Sequence, residues 1–305
     1  MSNNYKGALE VFDKANVLKP NNASTLRSRG DVKYMLDDNQ RALEDLDKAD
    51  ALEPNNASTL KSRGDVQRML KEYQGALEDL DKANVLKPNN AFTLGTRGNV
   101  KRMLKDYQGA LEDLDKADVL EPNNAFTLTN RGDVKSVLKE DQGALEDLDK
   151  ADVLEPNNAF TLRIRGNVKR MLDDCRGALE DLDKADVLEP NNADVLKPNN
   201  AFTLSSRGDV KYMLKEYQGA LEDLDKANVL EPNNAFTLRT RGNVKNMLDD
   251  YQGALEDLDK ADVLKPNNAF TLTSREKVKY MLKEYQGTFE VLDKADVLEP
   301  NMHSP

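Results

Sequence analysis

The chain has 305 residues, 32% of them charged and 38% hydrophobic, with a formal net charge of −11 at pH 7. That acidity argues against nucleic acid as a partner, because phosphate binding needs a basic footprint. No apolar run approaches the length of a membrane span or a signal-peptide core, and Cys175, the only cysteine, leaves a cytoplasmic or nuclear setting as the simpler expectation.

A fixed period governs the chain. Proline recurs at Pro20, Pro54, Pro88, Pro122, Pro156 and Pro190, then at Pro232, Pro266 and Pro300, always 34 residues apart except for the 42 between Pro190 and Pro232. Such a period signals stacked supersecondary units, a solenoid. In the unit that begins at Ala91, taken as position 1, Pro122 is position 32. The chain opens in mid-unit: Tyr5, Ala8, Phe12 and Ala15 match positions 17, 20, 24 and 27, so residues 5–18 are predicted to form a lone second helix. Eight full units follow, from Ala23, Ala57, Ala91, Ala125, Ala159, Ala201, Ala235 and Ala269. The prediction is an all-α chain of eight helix–turn–helix units plus the N-terminal half unit, 17 helices in total.

Within the unit, Leu94, Val100, Met103 and Leu104 have helical spacing, and Tyr107, Ala110, Leu111, Leu114, Ala117 and Leu120 step by three and four along a second helix face. Lys105-Asp106 leaves room only for a tight turn. Val119, one place off the stripe, is expected to cover the helix edge. Pro122 stops the second helix, and Asn123 or Asn124 is expected to cap the next one. Gly98, Ala110 and Ala117 mark where backbones come close. Arginine recurs at position 7 as Arg29, Arg63, Arg97, Arg131, Arg165, Arg207, Arg241 and Arg275. This series is expected to be structural, Arg97 meeting Asp113 in the same or the next layer. Arg97, Lys101, Arg102 and Lys105 against Asp106 give the first half of the unit a net +3. Lys116 against Glu112, Asp113, Asp115, Asp118 and Glu121 gives the second half −4.

Departures from the period carry their own expectations. The first two units hold Ser24 and Ser58 where later units have phenylalanine. Asp141 stands where Tyr73, Tyr107 and Tyr217 occur elsewhere, Asn39 and Cys175 fill the same place, and a looser stack is expected at Asp141 because an unpaired carboxylate is costly in a packed site. NNADVLKP, residues 191–198, duplicates the ending of the preceding unit. It reads either as a tolerated surface insertion or as a hinge, dividing the chain into residues 1–192, an eight-residue linker at 193–200, and residues 201–305. Unit eight loses regular features at Glu276, Lys277, Thr288 and Phe289. Valine replaces aspartate at Val11 and Val291, and weak self-association through the terminal helices, with Phe12, Phe289 and Leu292, is expected there.

The small residues at positions 8, 20 and 27, the aromatic at 17, the large apolar residue at 24 and the proline at 32, here Gly98, Ala110, Ala117, Tyr107, Leu114 and Pro122, make the chain resemble the tetratricopeptide-repeat family. It departs from that family at positions 7 and 11, here Arg97 and Lys101. The resemblance implies a right-handed α–α superhelix whose first helices line a concave groove and whose second helices form the convex back. Carried over to positions 2, 5, 6, 9, 12 and 13, the groove candidates include Phe126, Asn130, Asp133, Phe160, Arg163, Asn167, Arg170, Phe202, Asp209 and Tyr212. Aromatic side chains beside asparagine and arginine suit a peptide or a helix. Some family members clamp a terminal carboxylate with lysine and asparagine. Arg163 with Asn167 resembles half of that clamp, but Ser206 and Phe236 stand at the other half, so the carry-over fails.

No catalytic, metal or cofactor site is expected: the repeats contain no histidine, and His303 lies alone in the tail. The function expected is non-catalytic protein–protein interaction with a protein or peptide, neither nucleic acid nor membrane. A purely structural or self-associating array, or a regulatory arm of a larger enzyme, is the alternative.

Overall fold

The computed structural model describes residues 2–188 and 198–282, in two compact units, Met1–Glu155 and Pro156–Pro305. The first unit holds α1 (Ser2–Leu18), α2 (Ala23–Met35), α3 (Asn39–Leu52), α4 (Ala57–Met69), α5 (Tyr73–Leu86), α6 (Ala91–Met103), α7 (Tyr107–Leu120), α8 (Ala125–Val137) and α9 (Asp141–Leu154). The second holds α10 (Ala159–Met171), α11 (Cys175–Leu188), α12 (Pro198–Met213), α13 (Tyr217–Leu230), α14 (Ala235–Met247), α15 (Tyr251–Leu264) and α16 (Ala269–Met281). Every element among the described residues is thus helical. The seventeenth predicted helix, with Phe289, Val291 and Leu292, lies outside the described residues, as do residues 191–197 and His303.

Side chains and backbone set the helix ends. Asn123 takes the left-handed conformation at φ 66°, and Asn124 accepts the Thr127 N–H at 3.1 Å as N-cap of α8. The asparagine pair therefore divides two tasks, since asparagine tolerates left-handed φ and is also a good cap. Lys105 is left-handed as well, at φ 65°. Its N–H reaches the Arg102 carbonyl at 3.0 Å and that of Asp106 reaches the Lys101 carbonyl at 2.9 Å, the double closure that ends a helix and reverses the chain within three residues.

Within each compact unit, a hairpin packs through its second helix onto the first helix of the next. Ala110 and Leu114 of α7 bury fully against Val134 of α8, with Tyr107, Leu111 and Leu138 around them. Gly98 lies at the crossing of α6 and α7: a β-carbon there would stand 2.7 Å from Leu114 Cγ and 3.1 Å from the Ala110 carbonyl oxygen. Val119 corrects the sequence reading. It is 79% exposed, like its counterparts Val85, Val153 and Val263, and covers no edge. At 3.6 residues per turn, two residues beyond Ala117 lie roughly 200° around the helix, on the side away from the core.

The longer interval before α12 leaves the packing of the helices flanking it regular. Val210 of α12 joins Ala178, Leu182 and Cys175 of α11, as Val134 joins α7. In the first unit Val11 is 63% exposed.

Candidate functional site

The position-7 arginines decide which charges remain for a partner. Arg97 donates from Nε to Asp113 Oδ2 at 2.7 Å and from Nη2 to Oδ1 at 2.5 Å, a fork-to-carboxylate pair within one hairpin. Its third nitrogen, Nη1, reaches Asp81 of the preceding hairpin at 3.0 Å. Lys101 adds a contact to Asp113 at 2.8 Å. The same pairing joins Arg29 to Asp45, Arg63 to Asp79, Arg131 to Asp147, Arg165 to Asp181, Arg207 to Asp223 and Arg241 to Asp257. For Arg275 the residue sixteen places on is Val291, and the guanidinium reaches back to Asp262 at 2.6 Å. Burial raises the Asp147 carboxyl, but hydrogen bonds from Arg131 and Lys135 outweigh it and hold the group below the ordinary carboxylate range. The basic first helices and acidic second helices thus face each other, and this part of the charge pattern is internal.

The groove candidates divide into open and enclosed. Phe126 is 40% exposed, with the Arg68 guanidinium 5.6 Å from its ring centroid. Asn130 is only 1% exposed; it donates to the Phe126 carbonyl at 2.7 Å and accepts a short bond from Asn99. Asp133 pairs with Arg102 at 2.6 Å. In the second unit Arg163 is buried between the rings of Phe160 and Phe202, at 5.0 and 5.6 Å. Arg170 hydrogen-bonds Asn167 at 3.0 Å and pairs with Asp209 at 2.9 Å. Burial raises the Asp209 carboxyl in spite of Arg170 and Arg239 nearby. Tyr212 lies half-buried beside Tyr217, ring centroids 6.0 Å apart, and burial raises its phenol.

Two features escaped the sequence reading. Arg239 lies between Phe236 and Phe270, at 5.4 and 5.9 Å, a second Phe–Arg–Phe sandwich whose signal was the arginine shared with Arg163 at position 5. The other is a cavity of about 300 Å³ among the first three hairpins, away from the central units where the candidates were placed. Asp31, Tyr34 and Met35 of α2 line it, with Lys61, Ser62, Asp65 and Val66 of α4 and Phe92 of α6. Its signal was at position 12, where Arg68, Arg102 and Arg170 contrast with Tyr34. Burial, followed by the Asp65 carboxylate, pushes the Tyr34 phenol up to about 12, so it stays a neutral donor.

Among the described residues no group of histidine, cysteine, aspartate and glutamate is arranged to hold a metal ion. No described helix is long and apolar enough to cross a membrane. Cys175 packs against Ala178 and Leu182, and burial together with the Asp173 and Asp174 carboxylates raises its thiol above the ordinary value.

No protein-family model matches the sequence, and no curated protein matches it. Solved structures resemble it in fold. The Cut9–Hcn1 hetero-tetramer of the APC/C aligns over 90% of this chain with a TM-score of 0.73 and 16% identity; the chain spans about half, 52%, of that one. A tetratricopeptide-repeat protein from Parabacteroides merdae aligns over 84% of this chain and 98% of its own, TM-score 0.55, 19% identity. Pseudomonas aeruginosa PilF aligns over 74% and 97%, TM-score 0.58, 19% identity. The likeness is one of architecture: the chain has the tetratricopeptide-repeat fold.

Proposed function

We propose that this chain, built on the tetratricopeptide-repeat fold, is a non-catalytic interaction scaffold that receives a peptide, helix or protein along its first helices. The cavity of the first three hairpins carries the reading. Its lining comes from positions 2, 5, 6, 9, 10, 12 and 13 of successive first helices, nearly all of them the positions expected to face a groove. Half-open rings such as Phe92, Phe126 and Phe202 offer the aromatic anchors that dominate interface energetics. A structural array is the second reading. It is favoured by the polar groups that the groove side chains satisfy among themselves, as in Asn99 with Asn130 and Arg170 with Asp209.

Selection of a random displayed peptide library on the full chain distinguishes the two. Scaffold function expects selected peptides whose binding shifts the backbone amide resonances of first-helix residues such as Ser62, Phe92 and Thr129. No selectable peptide, or shifts confined to second-helix residues such as Val119, would overturn the reading.

A further inference from the structure

We propose that the cavity of the first three hairpins seats the guanidinium of an arginine supplied by the partner; this rests on the groove reading above. Position 9 holds aspartate four times, at Asp31, Asp65, Asp133 and Asp209. Three of the four are engaged by an arginine from position 12: Asp65 by Arg68 at 2.7 Å, Asp133 by Arg102 at 2.6 Å and Asp209 by Arg170 at 2.9 Å. Asp31 is half-buried, lines the cavity, and has no ion pair or hydrogen bond among the described residues. The fold thus completes this carboxylate with a guanidinium at three places and leaves the fourth open.

Arg68 shows what an occupant of such a place does. It binds Asp65 and at the same time lies over the ring of Phe126, 5.6 Å from the centroid. The hairpin between them has Gly95 at position 5, which adds no side chain there. In the first three hairpins the corresponding ring is Phe92, 47% exposed, and the corresponding carboxylate is Asp31. Position 12 is Tyr34, which carries no charge and lines the same cavity. An incoming arginine has the length to lay its stem along Met35, which is exposed, and the planar head to meet carboxylate and ring together. The one cation of the lining, Lys61, stands 4.6 Å from the Phe92 centroid; it competes for the ring, which assigns a sign to its removal.

The test uses the full chain and three blocked, fluorescein-labelled hexapeptides, alternating glycine with arginine, lysine or glutamate, followed by fluorescence anisotropy. The arginine peptide is expected to bind more tightly than the lysine peptide, and both more tightly than the glutamate peptide. Asp31→Asn should weaken it about tenfold, the scale of a lost charge-assisted hydrogen bond. Lys61→Ala should strengthen it severalfold. Tyr34→Arg installs the occupant found in later hairpins and should abolish binding, with far-ultraviolet circular dichroism confirming an intact fold; should that variant unfold, Asp31→Asn and Lys61→Ala decide. Equal affinity for the glutamate peptide, affinity unchanged in Asp31→Asn, or binding weakened by Lys61→Ala would overturn the proposal. Library peptides that bind the first helices without arginine, and without shifting Ser62 or Phe92, would sink this pocket and leave the groove reading standing. Failure of hexapeptides and library alike would remove both.

Discussion

Asp141 occupies the place where Tyr73 and Tyr107 lay their rings against Ala76 and Leu80, and Ala110 and Leu114. Its Oδ1 is buried without a hydrogen-bond partner, and so is that of Asn39 at the same position of the first hairpin. Asp141→Tyr should therefore stabilise the chain by about 1 kcal/mol, through restored packing and loss of an unsatisfied oxygen; a denaturant melt showing lower stability would count against this account. Arg131→Ala should act in the opposite direction. It leaves Asp147, 2% exposed, with only Lys135 at 2.8 Å, and the expected loss is about 3 kcal/mol, the lower end for breaking a buried pair. Asp147 titrates below its unfolded value, so its stabilisation is present above the unfolded carboxylate range near 4 and is lost as pH falls through the lower folded value. Melts at descending pH should show this acid-side loss in the parent and a shallower one in Arg131→Ala. Asp45, Asp181, Asp223 and Asp257 share the sign. Asp209, raised by burial, has the reverse one.

Within a hairpin, the crossing of the two helices rests on glycine at position 8. Alanine in place of Gly98 would improve helix propensity by about 1 kcal/mol. Its β-carbon, however, would stand 2.7 Å from Leu114 Cγ and 3.1 Å from a backbone oxygen, closer than carbon atoms tolerate. Overpacking of this kind costs about 1–3 kcal/mol, and the backbone oxygen cannot move aside without shifting α7. Gly98→Ala should thus be destabilising in urea melts despite its gain in propensity. Gly143, where a β-carbon would meet only Lys135 at 3.6 Å or more, should accept alanine without loss. Equal effects at the two sites would show that close approach is not why position 8 is glycine.

Over the whole molecule, helices within each compact unit meet only those one or two places away in the chain, so stability should be a sum of hairpin and nearest-neighbour contributions. The eight extra residues before α12 fit this picture. Arg207 reaches Asp183 at 3.2 Å and Asp186 at 2.8 Å, matching Arg131 with Asp115 at 3.3 Å and Asp118 at 2.8 Å. Deleting residues 191–198 leaves the regular 34-residue spacing and should keep the helix content and the urea midpoint, since the length of chain between packed elements enters stability only logarithmically. Loss of folded structure on deletion would show that the duplicated segment is needed for the packing of α11 on α12.

The sequence by itself determined the hairpin, its length, its caps and the small residues at its crossing. Each of these follows from local chemistry: the spacing of apolar residues, an asparagine pair that can turn and cap, a proline that stops a helix. Val119 was legible too, had its angle on the helix been counted from Ala117. Only the tertiary structure decided which groove residues are open. Asn130 is enclosed by Phe126 and Asn99, and Arg163 by two rings, because space at one position depends on side chains contributed by other hairpins. The cavity beside Asp31 has the same origin. Whether a carboxylate at position 9 is covered depends on an arginine at position 12, in its own hairpin for Asp65 and in the preceding one for Asp133 and Asp209, and on the side chain at position 5 beside the neighbouring ring. Those combinations are set by how layers stack, and a one-dimensional period does not contain them.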